Sequence, residues 1–314
     1  MTSTVEPAPI ATGSAPSRLL RRRPGRRPGR RPGRDEHRAH WSVRAAVLVI
    51  CFLWVVPAFG TLVTSLRNEN DANSSGWWTV VNPADWGSFT LSNYQDAIVK
   101  AHLGEALINS FAISLPATFI PILIAAFAAY AFTFMQFPGR DVLFLVIVSL
   151  LVVPNFVAMV PLLKVYGQLG ISGTFPSVWL FHIGFGMSLA IYLFRNYMST
   201  LPREVIESAK IDGASHYATF YRLILPMSTP VLASFAIFQF LWVWNDLLVA
   251  LIFIGPGDNA PLTVAVKNNL IGQQGQGWNV VTAGGVLTMV VPIIVFLALQ
   301  RYFVRGLTAG SVKG

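Results

Sequence analysis

The chain has 314 residues, 54% of them hydrophobic and only 12% charged, with a formal net charge of +9. Soluble domains carry about 25% charged residues, so this composition excludes an ordinary water-soluble globule. The basicity does not mark a nucleic-acid-binding face either. Residues 1–40 hold ten arginines against Glu6, Asp35 and Glu36, a net of +7, while the other 274 residues carry +2.

In chain order, residues 1–40 come first, with Arg-Arg-Pro-Gly repeated three times between Arg22 and Gly33. Proline at every fourth position forbids helix, and the charge density forbids a core, so a disordered cytoplasmic tail is predicted. Its arginines suit a solvated topogenic segment or a contact with anionic lipid or nucleic acid; the positive-inside rule favours the first. Cys51, the single cysteine, lies in the first apolar run, which excludes an intrachain disulfide and a cysteine-built metal or redox centre. No cofactor is called for.

Six apolar spans follow, predicted at Ala45–Leu66, Ile108–Phe134, Val142–Leu163, Val178–Phe194, Val231–Phe253 and Val281–Phe303. At about 1.5 Å per helical residue, about twenty residues cross a hydrocarbon core of about 30 Å. The alternating short segments of a membrane barrel are absent. The first span exceeds a signal-peptide core and lacks a small-x-small cleavage site, so it is read as retained. The expected fold is therefore an all-α polytopic membrane protein, with a domain over 41–314 and both termini cytoplasmic.

Orientation comes from Lys and Arg. Outside the tail, Arg44, Arg140, Arg195, Arg203, Lys210, Arg222, Arg301, Arg305 and Lys313 fall on the cytoplasmic side, against Arg67, Lys100, Lys164 and Lys267 on the outer side. Of the outer segments, Arg67–Ala106 carries Trp77, Trp78, Trp86 and Tyr94 and reads as a short structured cap. The third outer segment, Gly255–Asn279, is rich in Gly, Gln and Asn with little periodicity; its amides suit a hydroxylated ligand, a protein partner or a solvated loop.

In span 3, Pro154, Asn155 and Pro161 predict a kink. His182 in span 4 reads as a hydrogen-bonded packing residue rather than a proton carrier. Between spans 4 and 5, residues 201–222 form a polar island. Pro202 suits a first helical turn, and Leu201, Val205 and Ala209 recur at i, i+4 and i+8 on one face. Arg203–Glu207 and Glu207–Lys210 are spaced for intrahelical pairing. Gly213 is a helix stop and Ser215 the cap of a second helix continuing into span 5. The product is a short helix along the membrane face, a sharp turn, and a second helix.

Glu207-Ser208-Ala209, three residues, Gly213, and then Leu223-Ile224-Leu225-Pro226 resemble the EAA loop of binding-protein-dependent ABC importer permeases. Trp242 to Ala250 and the C-terminal Gln300 to Gly314 are similar to the sugar-importer branch, nearest the smaller permease of maltose and α-glucoside systems. The resemblance covers about residues 41–314; Ser208 stands where that family often has Ala. It implies that Glu207 meets a basic residue of an ATPase, that Ser208 and Ala209 fit a groove excluding bulk, and that Gly213 makes the turn. It also implies that Leu223, Leu225 and Pro226 seat the second helix. The implied partners are a second permease in a heterodimer, ATP-hydrolysing subunits, an extracytoplasmic sugar-binding protein and membrane lipid, with no nucleic acid. The Gly255–Asn279 segment resembles the one that, in such permeases, reaches into the binding protein's cleft.

None of the five lysines follows a glycine, so no phosphate-loop signature exists and the chain is not expected to be an ATPase or other enzyme. Asp246 is the only carboxylate well inside a predicted span, which makes it a functional candidate. Gln239, Trp242 and Asp246 fall on one helical face with Asn245 beside them. An indole and amides suit a sugar, and a helix–helix hydrogen bond or interfacial anchor suits the same residues. The alternatives are an ion-driven secondary transporter, an importer of glycerol-phosphate or another sugar, and an intramembrane enzyme. Asp246 alone gives the first little support. The last lacks any His-Glu-x-x-His or Gly-x-Ser-x-Gly.

Overall fold

The computed structural model describes residues 41–271 and 277–308. The expectations for the 1–40 tail, for part of the third outer segment and for the last six residues lie outside these. Among the described residues there is no strand beyond the isolated Arg67–Phe89 bridge. The main helices are α1 (Trp41–Leu66), α2 (Leu103–Phe134), α3 (Arg140–Ser149), α4 (Asn155–Gln168), α5 (Phe175–Met198), α6 (Arg203–Ile211), α7 (His216–Met227), α8 (Thr229–Trp244), α9 (Leu248–Phe253) and α10 (Trp278–Thr308). The chain divides into two compact units at Leu53–Trp54, within α1. The packing described below is that of the second unit.

Four helices, α1, α2, α5 and α10, are by themselves long and apolar enough to cross a membrane; two bent pairs bring the number up to six. Span 3 is one of these pairs. In place of a single helix over Val142–Leu163, α3 runs through a 3-10 turn, Leu150–Val152, and meets α4 at 100°. Pro154 is the cause: it has no N–H to donate and holds Val153 in an extended conformation, ψ 118°. The proline signal therefore marks a break rather than a kink.

Span 5 also departs from expectation. Entering from the cytoplasmic side, α7 meets α8 at 70° around Ser228, flanked by Pro226 and Pro230. At the other end α8 stops at Trp244, and the chain restarts as α9 after Asn245–Leu247. The apolar run hid this break. The side chains of Asn245 and Asp246 compete with the helical ladder: Asn245 Nδ2 donates to the Leu241 carbonyl at 2.8 Å, and Asp246 Oδ1 accepts the Val249 N–H at 2.9 Å.

α2 packs most extensively on α5, and α8 packs on α10 and α2. The α2–α5 contact rests on small residues, with Ala117, Ala125, Ala126 and Ala129 of α2 and Ala190 of α5 buried. Small side chains let helix backbones approach where no hydrophobic force separates protein from lipid. One buried cluster joins the inner ends of α2, α5 and α8 to α6 and α7; another joins Leu103, Phe240, Trp244, Leu262 and Ala283 toward the outer side.

The outer cap over Arg67–Ala106 is ordered as expected, in short helical turns at Glu69–Ser74, Trp77–Val81 and Pro83–Ser88. Arg67 is buried, and its guanidinium donates to the Ser75 carbonyl and hydroxyl. Asn93 donates to the carbonyls of Ser65 and Arg67, and accepts from Asn279 at 2.8 Å. The third outer segment is more regular than its composition suggested, with helical turns over Leu262–Ala265 and Val266–Ile271.

Candidate functional site

The polar island is built from local chemistry and then fixed by packing. α6 begins after Pro202 and ends in a Schellman motif: the Ala214 N–H reaches the Ala209 carbonyl at 2.9 Å and the Gly213 N–H reaches the Lys210 carbonyl at 3.0 Å. This requires a left-handed residue, and Gly213 has φ +77°. Two residues on, the Ser215 hydroxyl caps α7 by accepting the Ala218 N–H.

The inward face of α6 keeps Leu201 and Ala209 of the predicted one but replaces Val205 with Ile206. Ile206 and Ala209 are buried, whereas Val205 is exposed. Ile206 inserts into the cluster formed by Phe132, Phe194, Phe220 and Ile224, and this deeper socket sets the rotation of the helix. Ala209 is therefore covered by its own chain and offers little of itself to a partner. The two expected intrahelical ion pairs are not formed among the described residues.

Glu207 and Ser208 sit on the outward face of α6, exposed, and Glu207 has no hydrogen bond or ion pair within the described residues. Behind them the second helix is held firmly. Phe220 and Ile224 are fully covered, the Phe127 and Phe220 rings stack with centroids 4.5 Å apart, and the Tyr130 hydroxyl hydrogen-bonds His216 Nδ1 at 3.0 Å. Leu225 packs at the edge of this cluster, Leu223 is half-buried beside it, and Pro226 is exposed at the bend. Ile206, Tyr130 and His216 escaped the sequence reading. Ile206 and His216 act through Phe132 and Tyr130 of α2, about seventy residues or more away in sequence. Only the apolar character of Ile206 signalled one of them.

Mechanically, this is an exposed acidic helix on a short lever, rigidly joined to the inner ends of three long helices. Ile206, between Glu207 and the bundle, packs in one cluster with Phe194 of α5 and Phe132 of α2. Interiors packed like this transmit displacement rather than absorb it.

The mid-membrane candidates are arranged differently. Gln239 is fully buried, and its Nε2 donates to the carbonyls of Ala117 in α2 and His182 in α5, both at 3.2 Å. Gly186 makes room for it: a Cβ there would lie 2.6 Å from Gln239 Oε1. Asp246 is half-buried, with Oδ2 3.7 Å from His182 Nε2, and the His182 ring stands edge-on to Trp242 at 5.0 Å. Asn245 turns away and bonds its own helix. The expected face of Gln239, Trp242 and Asp246 is thus largely a helix–helix contact, and His182 packs as predicted but without the predicted hydrogen bond: its Nδ1 has no partner among the described residues. Gln239 and Trp242 do border a cleft of about 260 Å³, bounded also by Val153 and Asn155 at the break in span 3. That cleft is where α4, α5 and α8 leave room at bilayer depth.

Comparison with known proteins agrees with this geometry. Residues 110–309 match the family described as the binding-protein-dependent transport system inner membrane component. The osmoprotective compounds uptake permease protein GgtD of Synechocystis sp. is 53% identical, over 86% of this chain and 91% of that protein. The alpha-glucoside transport system permease protein AglG of Rhizobium meliloti is 39% identical, over 87% and 97%. Among solved structures, a bacterial ABC transporter involved in alginate import shares the fold at a TM-score of 0.68 and 20% identity, covering 84% of this chain and 96% of its own. The protein is thus a multi-pass membrane permease and belongs to the binding-protein-dependent ABC importer family of inner membrane components.

Proposed function

We propose that the chain is one of two permeases in an ATP-driven carbohydrate importer, and that residues 201–222 couple ATPase closure to movement of the spans. The observation that carries this reading is the pairing of an exposed Glu207, unpartnered among the described residues, with a buried Ile206 one residue away. An amphipathic interfacial helix resting on lipid alone would turn its apolar face to the bilayer. Here that face is socketed in protein, and the polar face is left for a partner.

The substrate is read as a neutral hydroxylated solute, with an α-glucoside, maltose or maltodextrin placed first. The α-glucoside permease at 39% identity supports this choice. The relative at 53% identity, named for osmoprotective compounds, puts such solutes in the same uptake screen. ATP is hydrolysed by a partner chain, and an extracytoplasmic binding protein delivers the solute to the outer face. A second permease has apolar surface to meet on α10, where Ile293, Ile294 and Leu297 are exposed.

The test is co-purification from detergent with the neighbouring transport subunits, comparing wild type and Gly213→Val. A β-branched residue at φ +77° costs roughly 1–2 kcal/mol and misdirects the turn. Wild type is expected to bring down an ATPase and a second permease, and the variant to lose the ATPase while retaining the permease. Wild type purifying alone, with uptake that survives ATP depletion and collapses with the ion gradient, sinks the importer reading in favour of an ion-driven carrier.

A further inference from the structure

The inner ends of α2 and α5 meet α3 and α6 around a cavity of about 360 Å³. Arg140, Arg195, Arg203 and Lys210 line it, against the single carboxylate of Glu207. Arg140 is offset by Asp141 at 3.0 Å, and Arg195 lies 4.5 Å over the Phe144 ring. Among the described residues, no carboxylate comes within ion-pair distance of Arg195, Arg203 or Lys210, Glu207 included. Cations gathered in a partly desolvated cleft repel one another and raise its affinity for an anion.

The rest of the wall narrows the chemistry. Phe132, Phe134, Leu201 and Ile206 give it an apolar side, and Thr133, Gln136 and Ser199 add neutral polar groups, so it is amphipathic. Arg140 opens an apolar segment and Arg195 lies in the last turn of a spanning helix, which sets both at headgroup level. On α3, whose first residue lines the cavity, Val142 and Leu145 are 68% and 65% exposed.

We propose that this cavity binds the phosphodiester headgroup of an anionic glycerophospholipid from the cytoplasmic leaflet. Guanidinium groups match phosphate oxygens in bidentate fashion, and a lysine adds a point charge. The aromatic and aliphatic wall takes the glycerol and first acyl carbons, and the α3 surface takes the chain beyond. Free phosphate leaves that wall uncovered, as does an acidic side chain of a docking protein. The bound lipid holds α6 against α3 and α5 along the edge that carries Arg203, Glu207 and Lys210. The inference rests on the membrane placement of the chain, not on the ATPase reading, and it is tested on the purified chain alone.

The experiment is native mass spectrometry of the detergent-purified chain with equimolar phosphatidylglycerol and phosphatidylcholine, repeated with millimolar inorganic phosphate. Two double variants are compared: Arg195→Gln/Lys210→Gln and Arg203→Gln/Lys210→Gln. The second keeps the Arg195–Phe144 contact and guards against simple misfolding. Phosphatidylglycerol is expected to be retained preferentially, and each variant to lose about thirtyfold of that preference, the effect of two cations near an anionic headgroup. Equal retention of both lipids, or a preference unchanged in the second variant, overturns the proposal. Displacement by inorganic phosphate overturns the lipid assignment in favour of a free anion. Release of the lipid on adding the ATPase would show instead that the cavity belongs to a protein interface.

Discussion

The coupling segment and the middle of α8 both carry polar residues in an apolar protein, and they dispose of them in opposite ways. On α6, Glu207 and Ser208 face outward and make no use of their own chain. On α8, Gln239 is turned wholly inward, and Asp246 is shared between the α9 cap and His182. A polar group at bilayer depth is costly unless satisfied; carbonyls of α2 and α5 satisfy Gln239 Nε2, while its Oε1 has no partner among the described residues. At the membrane surface water satisfies the group until a partner arrives. On the proposed function, stability resides in the mid-membrane polar groups and recognition in those of the loop, a division that substitutions can test.

Among the mid-membrane polar contacts, the largest expected effect is at Gly186. Gly186→Val places a Cβ within 2.6 Å of the Gln239 amide and evicts it from its two carbonyl bonds. Overpacking and the lost bonds together predict a destabilisation of about 2–4 kcal/mol. It would be read as a lower melting temperature of the solubilised chain. Gln239→Ala on that background is expected to return part of the loss, with a coupling of about 1 kcal/mol or more in a double-mutant cycle. Strict additivity of the two changes would mean that Gln239 is not the obstacle, and the inward half of the comparison would fail.

The two regions are also unequally legible in the sequence. Gly213 and Ser215 act through bonds to residues three to five positions away, so spacing alone reveals the Schellman turn and the cap. Likewise, Pro154 announces a disturbance in span 3, although not that it amounts to 100°. Gln239 is visible only as a polar residue on a helical face. Its orientation is decided by Ala117 and His182, far along the chain, and by the gap that Gly186 leaves. The end of α8 is readable in principle. Asn245-Asp246 is a cap signature ahead of an apolar turn, but the surrounding run is so hydrophobic that the pair reads as pathway chemistry instead. The choice of Val205 over Ile206 has a related cause: periodicity offers a face but cannot choose between neighbours when a tertiary socket fits one of them.

A smaller effect is expected at that break. Asp246→Ala removes the acceptor for the Val249 N–H and the carboxylate facing His182, and about 1–2 kcal/mol of stability is expected to go with the cap. Asp246→Asn keeps an oxygen for Val249 and should lose only a few tenths of that order. If uptake by the assembled transporter followed the same ranking as melting temperature, the residue would be structural, as its geometry indicates. If Asp246→Asn abolished uptake at unchanged stability, Asp246 would return to the solute pathway and the contrast with the loop would narrow.

The smallest effect on the fold is expected at Glu207, and it discriminates most. The side chain is exposed and unpartnered among the described residues, so Glu207→Ala should change the melting temperature of the isolated subunit by no more than the equivalent of about 0.5 kcal/mol. Loss of a charged interfacial contact should nevertheless weaken ATPase retention on a pull-down by about tenfold or more. The neighbouring Ile206→Ala should behave in the reverse order: a cavity among Phe132, Phe194 and Phe220 costs about 2–5 kcal/mol and loosens the helix that presents Glu207. One residue apart on the same helix, the two substitutions separate docking from transmission. A Glu207→Ala transporter that kept its ATPase while losing solute-stimulated turnover would place Glu207 on the transmitting side of that division.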